Sequence, residues 1–81
     1  MNLPDKRFHV SAKIGFLKKE MLVFAPTPMR AAEIFTTVLL QKSEYPFAGE
    51  EYQMKDGSNI VRMWVFGLNG FGPKIWVQED L

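Results

Sequence analysis

The side chains most capable of chemistry in this sequence are a single histidine, His9, and two pairs of adjacent acidic residues, Glu50 with Glu51 and Glu79 with Asp80. A histidine acts as a general base only beside an oriented partner, and no carboxylate adjoins His9 in the sequence. Adjacent residues on a strand point to opposite faces, so neither acidic pair can converge on one substrate. We therefore expect a solvated histidine, acidic strand ends, and neither a catalytic nor a metal site.

A glycine-rich segment, 67–72, has the composition of a phosphate-binding loop, but its context differs. Such loops follow a strand and open a helix, whose N-terminus binds the anion. Here Pro73 and a strand-like run follow, and Asn69-Gly70 is among the strongest short-range signals for a hairpin turn. The chain also has no cysteine, which excludes thiolate nucleophiles and zinc–thiolate sites. The sequence predicts no cofactor and no enzyme activity.

Length and composition predict a single domain, 1–81, that folds around a core of large side chains. The 81 residues are 47% hydrophobic and include seven phenylalanines and two tryptophans. No apolar leader follows Asp5, Lys6 and Arg7, and no run approaches the ~20 apolar residues that span a bilayer. With cysteine absent as well, we expect a cytoplasmic protein without a membrane partner.

The net charge of +1 is small, but the charges are divided along the chain. Residues 1–42 hold seven Lys or Arg against three Asp or Glu, whereas residues 43–81 hold three against six. This division predicts either a basic surface or ion pairing between the two halves, within one fold or across a dimer.

The clearest structural signal is strict alternation from Arg7 to Phe16, which is typical of a half-buried strand. A second apolar run, 21–24, predicts a hairpin, with Gly15 as a bulge or bend. Thr27 before Pro28 predicts a helix N-cap and a helix from Pro28 to about Lys42. Together these elements predict one buried cluster: Phe8, Val10, Ile14, Ile34, Phe35, Val38 and Leu39.

Three further strands are predicted within 51–55, 60–66 and 74–78, separated by turns at 56–59 and 68–73. The order is then ββαβββ. The predicted class is a two-layer α+β fold, in which a mostly antiparallel sheet carries one helix on one face. The order fits both a β-grasp-like arrangement and a meander.

One helix covers only one face of such a sheet, so the other face has to meet water, a ligand or another chain. We expect the slimmer side chains of the fourth and fifth strands to lie under the helix: Val61, Met63, Val65, Ile75 and Val77. The uncovered face then holds a predicted partner-binding set: Arg62, Trp64, Phe66, Lys74 and Trp76. The opposite orientation stays open, because a one-residue change of register moves every side chain to the other face.

Tryptophan and arginine dominate the binding energy of many interfaces. We therefore expect a small non-catalytic protein-interaction module of the adaptor or inhibitor type, which forms a homodimer or binds a protein partner. The alternative is binding of RNA or single-stranded DNA through the same face, although the net charge is low for that role. Contacts with nucleic acid would then include Arg7, Lys13, Lys18 and Lys19. By analogy of fold alone, accessory proteins of phages and mobile elements also have this character.

Overall fold

The computed structural model describes residues 4–39, 47–57, 59–68 and 74–80. The elements are β1 (Lys6–Ile14), β2 (Leu17–Ala25), α1 (Pro28–Leu39), β3 (Phe47–Asp56), β4 (Asn59–Leu68) and β5 (Ile75–Glu79). The five strands form one sheet in the order β2-β1-β5-β4-β3, and all four pairings are antiparallel. The predicted α+β class and element order are confirmed. Strands β3, β4 and β5 form a meander. The β1–β2 hairpin joins this meander because β1 pairs with β5.

The first hairpin turns at Gly15 and Phe16, between the paired residues Ile14 and Leu17. Gly15 has a φ of 61°, and glycine at the first position of a two-residue loop is typical of a type II′ turn. The prediction that the first strand continues to Phe16 is therefore wrong. Phe16 lies at the tip of the hairpin with its side chain fully exposed, because the turn ends the alternation.

The helix α1 begins as predicted, with Thr27 as its N-cap. The Thr27 side-chain oxygen accepts a hydrogen bond of 3.1 Å from the backbone N–H of Arg30. The Thr27 carbonyl accepts the first helical bond, from the N–H of Ala31 at 3.1 Å. Pro28 occupies the first helical position, where its missing N–H costs nothing. The predicted helical residues 40–42 lie outside the described ranges.

We expect Thr27→Ala to lower the free energy of unfolding by about 1 kcal/mol, because it leaves the Arg30 N–H without its capping oxygen. Urea denaturation followed by circular dichroism measures the loss. Thr37→Ala is the matched control, since Thr37 lies exposed within α1 and alanine has the higher helix propensity. Equal destabilisation by both substitutions would contradict the capping role.

The core lies between α1 and the strands on which it chiefly packs, β2, β5 and β1. Alternation in β1 is confirmed, because every second residue from Phe8 to Ala12 is buried. Strand β5 buries Ile75 and Val77, as predicted. Among the residues whose burial the structure describes, the buried set is Phe8, Val10, Ala12, Val23, Ala25, Ala31, Ala32, Phe35, Thr36, Phe66, Ile75 and Val77.

The helix presents a different stripe to the sheet from the predicted one. It buries Ala31, Ala32, Phe35 and Thr36, whereas Val38 is 54% exposed. Thr36 tolerates burial because its hydroxyl lies 2.8 Å from the carbonyl oxygen of Glu33 and donates within the helix. The predicted burial of Val38 is wrong, and that of Ile14 is wrong too, since it lies exposed beside the hairpin turn. Ile34 and Leu39 are half-buried against the core.

Candidate interaction surface

Strand β4 is oriented opposite to the prediction. Trp64 is paired with Val77 and Phe66 with Ile75, and both β5 partners are buried under α1. Residues opposite one another in an antiparallel pair share a face, so Trp64 and Phe66 point toward the helix. Arg62 lies on the same side by alternation. The predicted common face for Arg62, Trp64 and Phe66 with Trp76 is therefore wrong.

The cause is the volume that the core has to fill. Three of the four buried helix residues are small (Ala31, Ala32 and Thr36), so large rings from the sheet join Phe35 in filling the core. The ring of Trp64 packs edge-on against that of Phe8, with the centroids 6.1 Å apart. The ring of Phe66 is only 3% exposed and covers Gly49 of β3, where a Cβ would overlap it.

We call the side of the sheet away from α1 the open face. Trp76 lies there, because its neighbours Ile75 and Val77 point into the core. Lys74 precedes Ile75 and is exposed. Of the five predicted partner-binding residues, the structure therefore brings together Lys74 and Trp76.

An apolar strip crosses the open face from β5 to β3. It comprises Trp76, three β4 residues (Val61, Met63 and Val65), and Tyr52 and Met54 of β3. The first four are half-buried, whereas Tyr52 is 45% and Met54 47% exposed. The Tyr52 hydroxyl donates a 2.6 Å hydrogen bond to the Glu50 carboxylate, which raises the pKa of Tyr52 because ionisation would place two negative charges together.

Sequence reasoning missed two further apolar residues on the open face, Leu22 and Phe24 of β2. Both are exposed, and they alternate with the buried residues Val23 and Ala25. Alternation of apolar and polar residues is the signal that could have placed them, but the run 21–24 is apolar at every position. Period-two analysis cannot assign faces in such a run.

Between the two apolar regions lies a polar strip on β1 and β2. It comprises Arg7, His9, Ser11 and Lys13, with Lys18 and Glu20 opposite. Arg7 Nε lies 2.8 Å from a carboxylate oxygen of Asp80, an ion pair that joins the basic and acidic halves of the chain. Within the part of the chain that the structure describes, Lys13 and Lys74 have no ion-pair partner.

Glu20 is the anionic centre of the polar strip. Its carboxylate lies 3.0 Å from Lys18 Nζ, and this hydrogen bond and charge hold the pKa of Glu20 below its usual range. His9 Nε2 lies 3.8 Å from the same carboxylate, beyond hydrogen-bonding distance. This loose pairing of exposed groups is typical of a solvated surface and does not orient His9 for proton transfer.

Two shallow grooves flank the line of Trp76 and Val65. The larger, about 450 Å³, has Trp76 and Met63 as its apolar wall, and Ser11, Lys13 and Lys18 contribute polar groups. The smaller, about 390 Å³, lies toward β3 between Tyr52, Val65 and Lys74. Of the predicted nucleic-acid contacts, Arg7, Lys13 and Lys18 lie on the open face. Lys19 does not, because its Nζ reaches the Leu39 carbonyl on the helix side at 3.4 Å.

Across the ranges that the structure describes, no three His, Cys, Asp or Glu side chains gather where they could hold a metal ion. Nor is any helix in those ranges long and apolar enough to cross a membrane. The chain matches no protein-family model, no curated protein and no solved structure.

Proposed function

We propose that this chain is a non-catalytic protein-interaction module of the adaptor or inhibitor type, which associates with a second copy or with a protein partner through the open face. The supporting observation is the apolar strip, which no helix covers in the described structure. Soluble monomers seldom leave contiguous apolar patches of several hundred Å² in water. Tyrosine, tryptophan and methionine are also enriched in the cores of interfaces.

The surroundings of the strip support the same function. Charged residues lie at its margins, with Glu50 on β3, Lys74 before β5 and the polar strip along β1. An apolar centre with a polar rim is the usual anatomy of a protein–protein interface. The ion pairs at the rim contribute little affinity but disfavour wrong partners, since exposed charges act mainly on specificity.

The test is association of the purified chain, measured by light scattering over a wide concentration range, with capture of partners from cell extract alongside it. We expect Trp76→Ser, and separately Leu22→Ser, to weaken a complex formed through the open face by at least about tenfold, the scale of a central contact. Val38→Ser is the matched control, because Val38 is an exposed apolar residue on α1, away from the open face. If neither open-face variant weakens any complex that the chain forms, the proposal is contradicted.

One observation supports nucleic-acid binding as a second candidate: the larger groove sets the Trp76 ring beside Lys13 and Lys18. An aromatic ring can stack on a base while lysines contact phosphates. Against it, Arg7 and Lys18 are already ion-paired with Asp80 and Glu20. Binding of this kind would weaken as salt is added. The logarithm of the binding constant would fall against the logarithm of the salt concentration with a slope of about −0.7 for each phosphate contacted. Lys13→Gln would reduce that slope, and Lys19→Gln on the other face would not.

A further inference from the structure

Strand β3 is an end strand of the sheet, and no other strand in the described ranges pairs with its outer backbone edge. It contains ten residues and pairs with β4 in one uninterrupted register from Phe47 to Asp56. In the described structure its only strand partner is β4. No proline occurs within it, and the side chains at 48–55 are exposed on both faces. A long, straight edge of unpaired N–H and C=O groups is a template for adding another strand.

The segment Glu51–Lys55 is complementary to itself when two copies run antiparallel. With Gln53 opposite its own copy, Tyr52 faces Met54 and Glu51 faces Lys55, so each of these pairs occurs twice. Tyr52 and Met54 both lie on the open face, and the charged pair lies on the helix side. Opposite-charge pairs and aromatic–apolar pairs are the contacts that stabilise neighbouring antiparallel strands.

Neighbouring registers lack this complementarity. Centring the pairing on Tyr52 sets Glu50 against Met54 and Lys55 against Gly49, and centring it on Glu51 sets two glutamates together. In the Gln53 register, Glu50 faces Asp56 of the other copy, and both are acidic. The complementary segment is therefore limited to the five residues 51–55. The charged partners are also available. Lys55 has no ion pair within the described ranges, and Glu51 has a loose contact of 3.8 Å with Arg62.

We propose that a second copy of the chain docks along β3, antiparallel and centred on Gln53, about a two-fold axis perpendicular to the sheet. The two five-stranded sheets then become one continuous sheet. Both helices lie on one side of it, and both open faces lie on the other. This inference goes beyond the proposed function, since the dimer forms through the sheet edge and not through the open face. The open faces stay available to a further partner.

The absence of cysteine makes the register directly measurable. In the Gln53→Cys variant, the two-fold axis brings the two Cα atoms to about 4.5–5.5 Å, within disulfide range. In the Tyr52→Cys variant the two equivalent Cα atoms are offset by two residues and lie about 8 Å apart, too far for a bridge. Mild oxidation is expected to cross-link Gln53→Cys but not Tyr52→Cys. A mixture of Tyr52→Cys and Met54→Cys chains is expected to cross-link as the heterodimer.

Charge reversal gives a second readout that does not depend on disulfide chemistry. Glu51→Lys or Lys55→Glu alone turns two attractive cross-strand pairs into repulsive ones, and we expect dimer dissociation to become about tenfold easier. The double variant, Glu51→Lys with Lys55→Glu, is expected to restore the dimer. Circular dichroism checks that each variant still folds. We expect that it does, because both substituted positions are exposed.

Two results would overturn the edge-strand dimer. A chain that stays monomeric at every concentration has no such dimer, although it can still bind a different protein through its open face. A dimer that ignores the charge reversals, fails to cross-link at Gln53→Cys and dissociates with Trp76→Ser forms through the open face instead. In that second case the proposed function stands while this inference fails.

Discussion

Replacing Phe35 by alanine is expected to lower the free energy of unfolding by about 3–5 kcal/mol. The Phe35 side chain is completely buried at the centre of the helix–sheet cluster, so truncation removes a ring and leaves a cavity. Urea denaturation followed by circular dichroism measures the loss. Val38→Ala is the matched control, because Val38 lies on the same helix with half its side chain in water.

The size of this effect matters because small domains have only about 5–15 kcal/mol of stability in total. If Phe35→Ala unfolds the chain so far that no folded fraction can be measured, the result still agrees with a large loss of stability. Phe35→Leu then gives a measurable, smaller loss. If Phe35→Ala and Val38→Ala cost the same, the helix presents another face to the sheet.

The two tryptophans are expected to differ strongly, with Trp64→Ala costing about 3 kcal/mol and Trp76→Ala about 1 kcal/mol. Trp64 packs against the core and makes the edge-on contact with Phe8, a geometry that adds to the value of its burial. Trp76 lies on the open face, where part of its ring is already in water. Denaturation of each variant at a concentration that keeps the chain monomeric provides the comparison.

Fluorescence supplies an independent check, since each variant retains a single tryptophan. The variant without Trp76 is expected to emit at shorter wavelength, because Trp64 packs against the buried core, whereas Trp76 lies on the open face. A larger loss of stability for Trp76→Ala than for Trp64→Ala would mean that the orientation of β4 and β5 relative to the helix is wrong.

Local signals in the sequence were sufficient for β1 and for the start of α1. The alternation of Phe8, Val10 and Ala12 with polar residues leaves one solution for the strand, and the structure confirms it. Thr27 before Pro28 likewise determines where the helix begins. In both cases the deciding interactions lie within a few residues of each other along the chain.

The orientation of β4 was not predictable in this way. From Ile60 to Phe66 the residues on both sides are mostly apolar, so period two carries no information about which side faces the helix. The deciding contacts join separate strands: Trp64 pairs with Val77 and packs its ring against Phe8, and Phe66 covers Gly49.

The extent of β3 was also underestimated. The sequence indicated a strand at 51–55, and the structure pairs Phe47–Asp56 with β4. Gly49 and the adjacent glutamates lower the strand signal of this segment. Pairing with the full length of β4 offsets this low strand propensity. The Phe66 ring over Gly49 also supplies packing that the glycine itself lacks.

The central position of the first and last strands has a consequence for how the chain acquires its fold. The pairings β1–β2, β3–β4 and β4–β5 are all between consecutive strands, whereas β1–β5 joins residues such as Phe8 and Glu79. Closing that contact carries the entropy cost of a loop that includes nearly the whole chain. During synthesis, the β1–β2 hairpin and α1 emerge first, and their apolar surfaces stay uncovered until β5 has left the ribosome. We therefore expect the β1–β5 pairing to form late in folding, and the chain to be most exposed to aggregation before it forms.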